Sequence, residues 1–297
     1  MPIIDHKGAL KGIMVHEAMR RLVVEIPLSA PLQSAIRSTI KYKVNALLVV
    51  DEDRRGTGVV SKTDLMSAYY AGLPLDTPAE AVMVGPPLFC DRSQSLDTAL
   101  DTMRTHKVHR LYVLGDAPNR AVGVLAYPDI VGMLYRFCTK CERNLLRPRS
   151  DASKNIDIDQ YRIREVMTTT VYAQMASESL AAIIEGLAAA RLGALLVTDS
   201  DGSAIGVLSK TDLIRAYLHG LPIDSPAASI MSRPVESCDQ EKPVLEALKH
   251  MIFSDIHRLF VYKEDPRRVE GVFSLTDAAR IRSGTCRACV ISRIQIG

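Results

Sequence analysis

The sequence contains no tryptophan, and aromatic residues of all kinds make up only 5% of its 297 positions. Long apolar runs are also missing. The most apolar stretch, 179–197, carries Glu185 and Arg191, which excludes an ordinary membrane-spanning helix. The first residues contain no signal-peptide core, and a net charge of +3 is too small to indicate nucleic-acid binding by itself. We therefore expect a cytoplasmic protein with no membrane partner, long enough for two ordinary domains.

Motifs of enzyme active sites are absent as well. The sequence has neither a G-x-S-x-G nucleophile motif, nor a Walker phosphate loop, nor the paired histidines of a zincin helix. We therefore expect a protein that is not an enzyme. Nucleic-acid binding is not expected either, because the sequence has no recognition-helix module and no dense basic stripe.

What the sequence does contain is a repeated motif. GVVSKTD begins at Gly58 and GVLSKTD at Gly206, with the variants GVLAYPD at Gly123 and GVFSLTD at Gly271. Equivalent glycines in the two halves are 148 positions apart, and 16 of the first 26 positions are identical between the copies at Gly58 and Gly206. Such similarity at a fixed spacing indicates a duplication into two halves, each with two diverged units.

Every unit has the same predicted pattern of helix, strand, helix, strand, strand and helix in about 60 residues. In the third unit, Ser209 is expected to begin the last helix, which ends near Gly220. The apolar face of an earlier helix in that unit is predicted from the spacing of Leu180, Ile183, Ile184 and Leu187. A three-stranded sheet of this size cannot bury both faces alone, so the units are expected to pair.

Each unit opens with a segment that ends in methionine, continues with a strand such as ALLVV, and closes with Gly-x-x-Ser-x-x-Asp or a variant of it. This combination resembles the CBS domain family over about residues 12–285. The resemblance implies an α/β fold of tandem three-stranded units, paired into two Bateman modules with pseudo-twofold symmetry. The four-unit arrangement is similar to that of the gamma subunit of AMP-activated protein kinase and of stand-alone prokaryotic CBS proteins.

The predicted organisation is unit 1 at 12–72, unit 2 at 76–137, a charged linker with one CxxC pair at 138–160, unit 3 at 161–220, unit 4 at 224–285, and a tail with a second CxxC pair at 286–297.

A serine, with an aspartate three residues later, stands at the start of the last helix in units 1, 3 and 4. This spacing alone predicts a capping box, in which both side chains bind free backbone amides at the helix start. The resemblance adds a second role, since in the family this aspartate holds the ribose hydroxyls of an adenosine-containing ligand. The residues concerned are Ser61 and Asp64, Ser209 and Asp212, and Ser274 and Asp277.

Unit 2 departs from this motif, because Ala126 replaces the serine and Pro128 precedes Asp129. Alanine can neither cap the helix nor bind phosphate, so no nucleotide is expected at Asp129. At most three clefts are then competent, and overlap between ligands would reduce that number to two.

Further ligand residues are basic or lie at strand ends. Lys62 and Lys210 are either solvated surface charges or partners for phosphate at the helix start. The pairs His109-Arg110 and His257-Arg258 precede strands, and the resemblance places each pair against a phosphate in the neighbouring unit's cleft. Adenine is expected against the strand ends at Ala46, Leu47, Ala194 and Leu195.

The cysteines repeat with the duplication. Two CxxC pairs could supply a Cys₄ zinc or iron–sulfur site if the ends of the halves meet, although a duplication would copy inert cysteines equally well. The four residues are Cys138, Cys141, Cys286 and Cys289. Cys90 and Cys238 are expected to be small buried residues.

The main hypothesis is a regulatory homodimer that binds AMP, ADP, ATP or S-adenosylmethionine between paired units and acts on an unidentified partner protein. The alternative is a metal- or redox-responsive scaffold that uses the CxxC pairs and has vestigial nucleotide clefts. The metal content of protein purified anaerobically distinguishes the two hypotheses.

Overall fold

The computed structural model describes residues 12–126, 129, 162–254 and 256–274. These residues form four three-stranded sheets, and in each sheet the strands lie in the order in which they occur along the chain. The first strand of every sheet is parallel to the second, which is antiparallel to the third. The structure thus confirms the predicted α/β fold of four similar units.

The elements of the two halves correspond closely. The first half contains α1 (Val15–Ala18), β1 (Glu25–Pro27), α2 (Leu32–Lys41), β2 (Ala46–Val50), β3 (Gly56–Ser61), α3 (Lys62–Tyr70), β4 (Phe89–Cys90), α4 (Leu96–Thr105), β5 (Arg110–Leu114) and β6 (Ala121–Ala126). The second half contains β7 (Ala173–Met175), α5 (Leu180–Ala189), β8 (Ala194–Thr198), β9 (Ala204–Ser209), α6 (Lys210–Leu218), β10 (Ser237–Asp239), α7 (Val244–Phe253), β11 (Arg258–Tyr262) and β12 (Val269–Ser274). One-turn 3-10 helices open units 2, 3 and 4 at Ala79–Ala81, Ile163–Glu165 and Ala227–Ser229.

The helix predictions for unit 3 are confirmed. Ser209 is the N-cap of α6, and the helix stops just before Gly220, which has a φ of 67°. Glycine takes this left-handed conformation without the steric cost of a Cβ, so it ends the helix cleanly. The four apolar residues predicted to lie on one face of α5 are all buried.

The opening turn of each unit packs against the other unit of its pair. The helix α1 joins the core of unit 2, and the turn at Ala79–Ala81 joins the core of unit 1. A Cβ built on Gly58 would lie 2.4 Å from Met83 Sδ, and one on Gly123 would lie 2.5 Å from Met19 Sδ. The same contacts recur in the second half. The methionine and glycine motifs are therefore two sides of one contact between paired units.

Sheets join the units within each half. Leu48 of β2 packs in one apolar cluster with Tyr112 and Val124 of unit 2. In the second half, Leu196 of β8 shares an equivalent cluster with Phe260 of unit 4. The predicted pairing is therefore confirmed, with units 1 and 2 forming the first module and units 3 and 4 the second module.

Helices join the two modules, because α2 and α3 of unit 1 share a buried core with α5 and α6 of unit 3. The rings of Tyr69 and Tyr217 are stacked, with centroids 5.1 Å apart. Each hydroxyl donates across the boundary, Tyr69 to the carbonyl of Leu221 over 2.7 Å and Tyr217 to that of Leu73 over 2.6 Å. Within the described ranges, no helix is long and apolar enough to cross a membrane.

Candidate functional site

The two Ser-x-x-Asp motifs at α3 and α6 form the predicted capping boxes. Asp64 Oδ2 accepts hydrogen bonds from the backbone amide and the hydroxyl of Ser61, both at 2.7 Å. Asp212 Oδ2 accepts the same two bonds from Ser209, at 2.9 and 2.6 Å. The Oδ1 atom of each aspartate accepts no hydrogen bond from the part of the chain that the structure describes. Each half-buried carboxylate therefore keeps one oxygen for an external donor such as a ribose hydroxyl.

An arginine from the other unit of the module lies beside each motif. Arg110 of unit 2 donates to the carbonyl of Ala46 over 3.2 Å, and Arg258 of unit 4 donates to that of Ala194 over 2.8 Å. Ala46 pairs with Ser61 between β2 and β3, and the equivalent pairing recurs in unit 3. Each arginine is thus held near the start of the helix that carries the aspartate. Burial lowers the pKa of Arg110, but a guanidinium stays charged in proteins.

The histidine that precedes this arginine is exposed in both even units, as His109 and as His257. Partial burial of the ring lowers the pKa of His109 from its ordinary value of 6.5, and the charges of Arg110 and Lys210 lower it further. The lowered pKa favours the neutral form of His109. An anion placed here would favour the protonated ring.

The two lysines of the motif reach into the opposite module. Lys62 is the first residue of α3, but its ammonium group donates to Thr211 Oγ1 of α6 over 2.9 Å. Lys210 is the first residue of α6 and donates to Thr63 Oγ1 of α3 over 2.9 Å. Both ammonium groups therefore cross the boundary between the modules. The role of the two lysines as partners for phosphate stays a prediction.

The carboxylate of Asp129 in unit 2 is already paired. Arg20, which lies near the start of unit 1, places its Nε 2.7 Å from Asp129 Oδ1. The other oxygen of Asp129 accepts the backbone amide of Ala126 over 3.0 Å. Burial raises the pKa of Asp129, although Arg20 opposes this effect. With both oxygens engaged, this aspartate differs from Asp64 and Asp212. That it holds no nucleotide stays a prediction.

The strand-end residues expected to contact adenine fall into two groups. Leu47 and Leu195 have 0% and 3% of their surface exposed and belong to the core shared by units 1 and 3. Any ligand contact of these two leucines would involve their backbone. Ala46 and Ala194 stand at the start of their strands, and their carbonyls accept the bonds from the arginines.

Several predicted site residues lie outside the described ranges. Ser274, at the end of β12, is half-buried, whereas its partner Asp277 is not described. The undescribed cysteines are Cys138, Cys141, Cys286 and Cys289. Within the described ranges, no group of three or more His, Cys, Asp or Glu side chains is arranged to hold a metal.

The remaining two cysteines, Cys90 and Cys238, are free and buried, as expected. Burial is the main cause that raises the pKa of Cys90 to about 12 and that of Cys238 to about 11. Both thiols are therefore structural rather than reactive.

One family model, described as the CBS domain, matches residues 15–71, 79–136, 163–219 and 227–284. These segments cover most of the chain and correspond to the four units, so the protein belongs to the CBS domain family.

The chain is similar to proteins of several organisms. The chain is 26% identical over 119 residues to an uncharacterised 17.7 kDa protein of Acidianus ambivalens, an alignment that spans 40% of this chain and 71% of that protein. It is 23% identical to MJ1225 of Methanocaldococcus jannaschii over 183 residues, or 62% of this chain and 63% of MJ1225.

The crystal structure of MJ1225, described as a proposed archaeal homologue of γ-AMPK, superposes with a TM-score of 0.71 at 17% identity, covering 89% of this chain and 98% of MJ1225. A Pyrococcus horikoshii protein of unknown function superposes with a TM-score of 0.52 at 21% identity, covering 89% of this chain and 97% of that protein. At these identities, the superpositions show a shared fold.

Four residues near the clefts were not predicted from the sequence. Thr63 and Thr211 lie inside the repeated KTD segment, so their repetition was visible, but their role as acceptors depends on packing between modules. Arg20 and Arg215 have no basic counterpart in the other half, where Thr168 and Ser67 take their places.

Proposed function

We propose that the protein is a non-enzymatic sensor that binds adenosine-containing ligands in a cleft at Asp64 and in a second cleft at Asp212. The observation that carries this proposal is the same at both places. A half-buried carboxylate with one open acceptor oxygen stands at a helix start, next to an arginine from the partner unit. The carboxylate suits the ribose hydroxyls, and the arginine together with the helix start suits a phosphate.

A regulatory role is consistent with membership of the CBS domain family and with the likeness to MJ1225. Each proposed cleft takes its groups from two units, so a ligand bound there contacts both. Such a ligand shifts the relative position of the units if it binds one arrangement more tightly than another. A partner protein would detect that shift. The homodimer, the partner and the cytoplasmic location remain predictions.

Calorimetric titration with AMP, ADP, ATP and S-adenosylmethionine tests the proposal. The parent protein is expected to bind at least one of them with micromolar affinity, about −8 kcal/mol. The double variant Asp64→Ala, Asp212→Ala should lose this binding. The variant Asp129→Ala is the matched control, because that carboxylate already pairs with Arg20, and it should bind like the parent protein.

The aspartates also cap their helices, so the alanine substitutions are expected to cost about 1 kcal/mol of stability per helix. Circular dichroism must therefore show that the double variant is folded at the titration temperature. The sensor hypothesis is wrong if no ligand produces heat and none raises the melting temperature of the parent protein at saturation. Binding that survives in the folded double variant would instead move the site to Asp277 or elsewhere.

The metal- or redox-responsive alternative depends on the four CxxC cysteines, which lie outside the described residues. It therefore stays a prediction, and nothing in the described residues favours it over the nucleotide clefts.

A further inference from the structure

Lys62 and Lys210, called the crossed lysines below, each place a cation of one module beside the carboxylate of the other. The helices α3 and α6 lie side by side and run in the same direction, since Lys62 contacts Thr211 at their starts and Tyr69 stacks on Tyr217 near their ends. Electrostatic interactions also connect each lysine with the aspartate of the opposite module. The charge of Lys62 interacts with that of Asp212, and the charge of Lys210 with that of Asp64.

This junction concentrates positive charge. Both helices bring their N-termini here, and these are the positive ends of the helix dipoles. Across the junction, the charge of Lys62 interacts with those of Arg215 and Asp212, and the charge of Lys210 interacts with that of Asp64. Within the first module, Lys62 also interacts with Arg110. Burial lowers the pKa of Lys62, and Arg215 and Arg110 lower it further despite the nearby Asp212. Burial also lowers the pKa of Lys210, although Asp64 opposes this effect.

We propose that each lysine serves the ligand of the opposite module. Lys210 binds the phosphate of a ligand held by Asp64, and Lys62 binds the phosphate of a ligand held by Asp212. This assignment rests on the proposed function, because it concerns the same two clefts. The first half of the assignment agrees with the electrostatics of His109, whose charge interacts with those of both Arg110 and Lys210. Asp64, His109 and Arg110 belong to the first module, and Lys210 comes from the second.

The assignment also narrows the class of ligand. Four cations around two carboxylates favour a ligand that carries phosphate. S-adenosylmethionine carries a positive sulfonium instead, so it fits this junction less well than AMP, ADP or ATP. Since both phosphates would bind at one junction, the two clefts are expected to influence each other.

Single-cleft proteins test the crossing. Asp212→Ala leaves the Asp64 cleft, and Asp64→Ala leaves the Asp212 cleft. Each protein is combined with Lys62→Met or Lys210→Met, since methionine keeps most of the apolar stem, and AMP affinity is measured by calorimetry. Lys210→Met should weaken AMP binding by the Asp64 cleft at least tenfold more than AMP binding by the Asp212 cleft. This tenfold difference in affinity corresponds to the loss of one charge-assisted hydrogen bond. Lys62→Met should show the reverse preference.

Two controls isolate the effect. Lys249→Met removes an exposed lysine of α7 and reports the effect of net charge alone. Adenosine lacks the phosphate, so its affinity should change less than that of AMP when either crossed lysine is replaced.

The outcomes separate the two proposals. If both single-cleft proteins bind AMP but each lysine acts on the cleft of its own module, or on both clefts equally, the crossed assignment is refuted and the sensor function stands. If neither single-cleft protein binds AMP with its lysines intact, although both are folded, the crossed assignment fails, and the titration of the parent protein with all four ligands decides the sensor function separately. The expected reversal between the two backgrounds would establish the crossing, because a general loss of stability or charge cannot produce it.

Discussion

The stacked tyrosines Tyr69 and Tyr217 allow the packing between the modules to be measured. Each has 6% of its surface exposed, and the two rings are tilted by only 16° from parallel. Replacing either by phenylalanine keeps the ring but removes a hydroxyl that donates to a carbonyl of the opposite module. Each such change is expected to cost about 1 kcal/mol, because a partly buried carbonyl loses its partner.

Alanine at either position removes the ring as well, with an expected cost of about 3–5 kcal/mol. The two rings contact each other, so the effects should not add. Stacked aromatic pairs contribute about 0.5–1.5 kcal/mol beyond their burial. The double-mutant cycle of Tyr69→Ala and Tyr217→Ala should therefore give a coupling energy in this range, whereas distant sites couple by less than about 0.5 kcal/mol.

Urea denaturation followed by circular dichroism supplies the free energies for this cycle. Tyr172→Ala is the matched control, because Tyr172 is also in unit 3 but has 48% of its surface exposed, and its cost should stay near 0.5 kcal/mol. A coupling energy indistinguishable from zero, together with single costs no larger than that of Tyr172→Ala, would contradict the packing of unit 1 against unit 3. The crossed lysines would then lose their structural basis.

Two predictions follow from pKa values. Because the pKa of His109 lies below 6.5 in the ligand-free protein, the unfolded chain takes up this proton first, and the stability of the ligand-free protein should fall as the pH drops below about 6.5. AMP should raise the pKa of His109 again, so that AMP binding at pH 6.5 takes up protons. This uptake is measured by calorimetry in buffers of different ionisation enthalpy. Unchanged proton uptake in His109→Asn would contradict the protonation of His109 on AMP binding. Cys90 and Cys238, with pKa values raised to about 12 and about 11, should react with a thiol reagent at pH 8 at least about a hundredfold more slowly in the native than in the denatured protein. This is measured in a variant whose four CxxC cysteines are serine, and rapid native labelling would show that the two sites open readily.

Local patterns were sufficient to predict the fold. The four units, their order of helices and strands, and the caps at Ser61 and Ser209 follow from repetition, periodicity and spacing within short stretches. The orientation of Leu47 could also have been predicted. Successive strand residues face opposite sides of a sheet, so Ala46 and Leu47 cannot both face one ligand. The more apolar Leu47 is the one that packs in the core shared by units 1 and 3.

The sequence could not predict which units meet through their helices. An apolar helix face indicates burial but does not identify its partner, and α3 and α6 are similar enough for several pairings. The crossing of Lys62 and Lys210 depends on that choice of partner, because the same lysines would be solvated if α3 did not pack against α6. The ion pair of Arg20 and Asp129 was hidden for a related reason: it joins residues 109 positions apart in two different units.

Divergence after the duplication has made the two modules unequal. In the first module, Arg20 neutralises Asp129, so Asp64 is the aspartate that remains open to a ligand. The residue equivalent to Arg20 in the second module is Thr168, which cannot form an ion pair with a carboxylate. On the proposed function, an ion pair with a cation of the same chain would keep a ligand from Asp129 without disturbing the sheets that join the units. We therefore expect the number of ligands that each module binds to be set by side chains at the helix starts rather than by the fold.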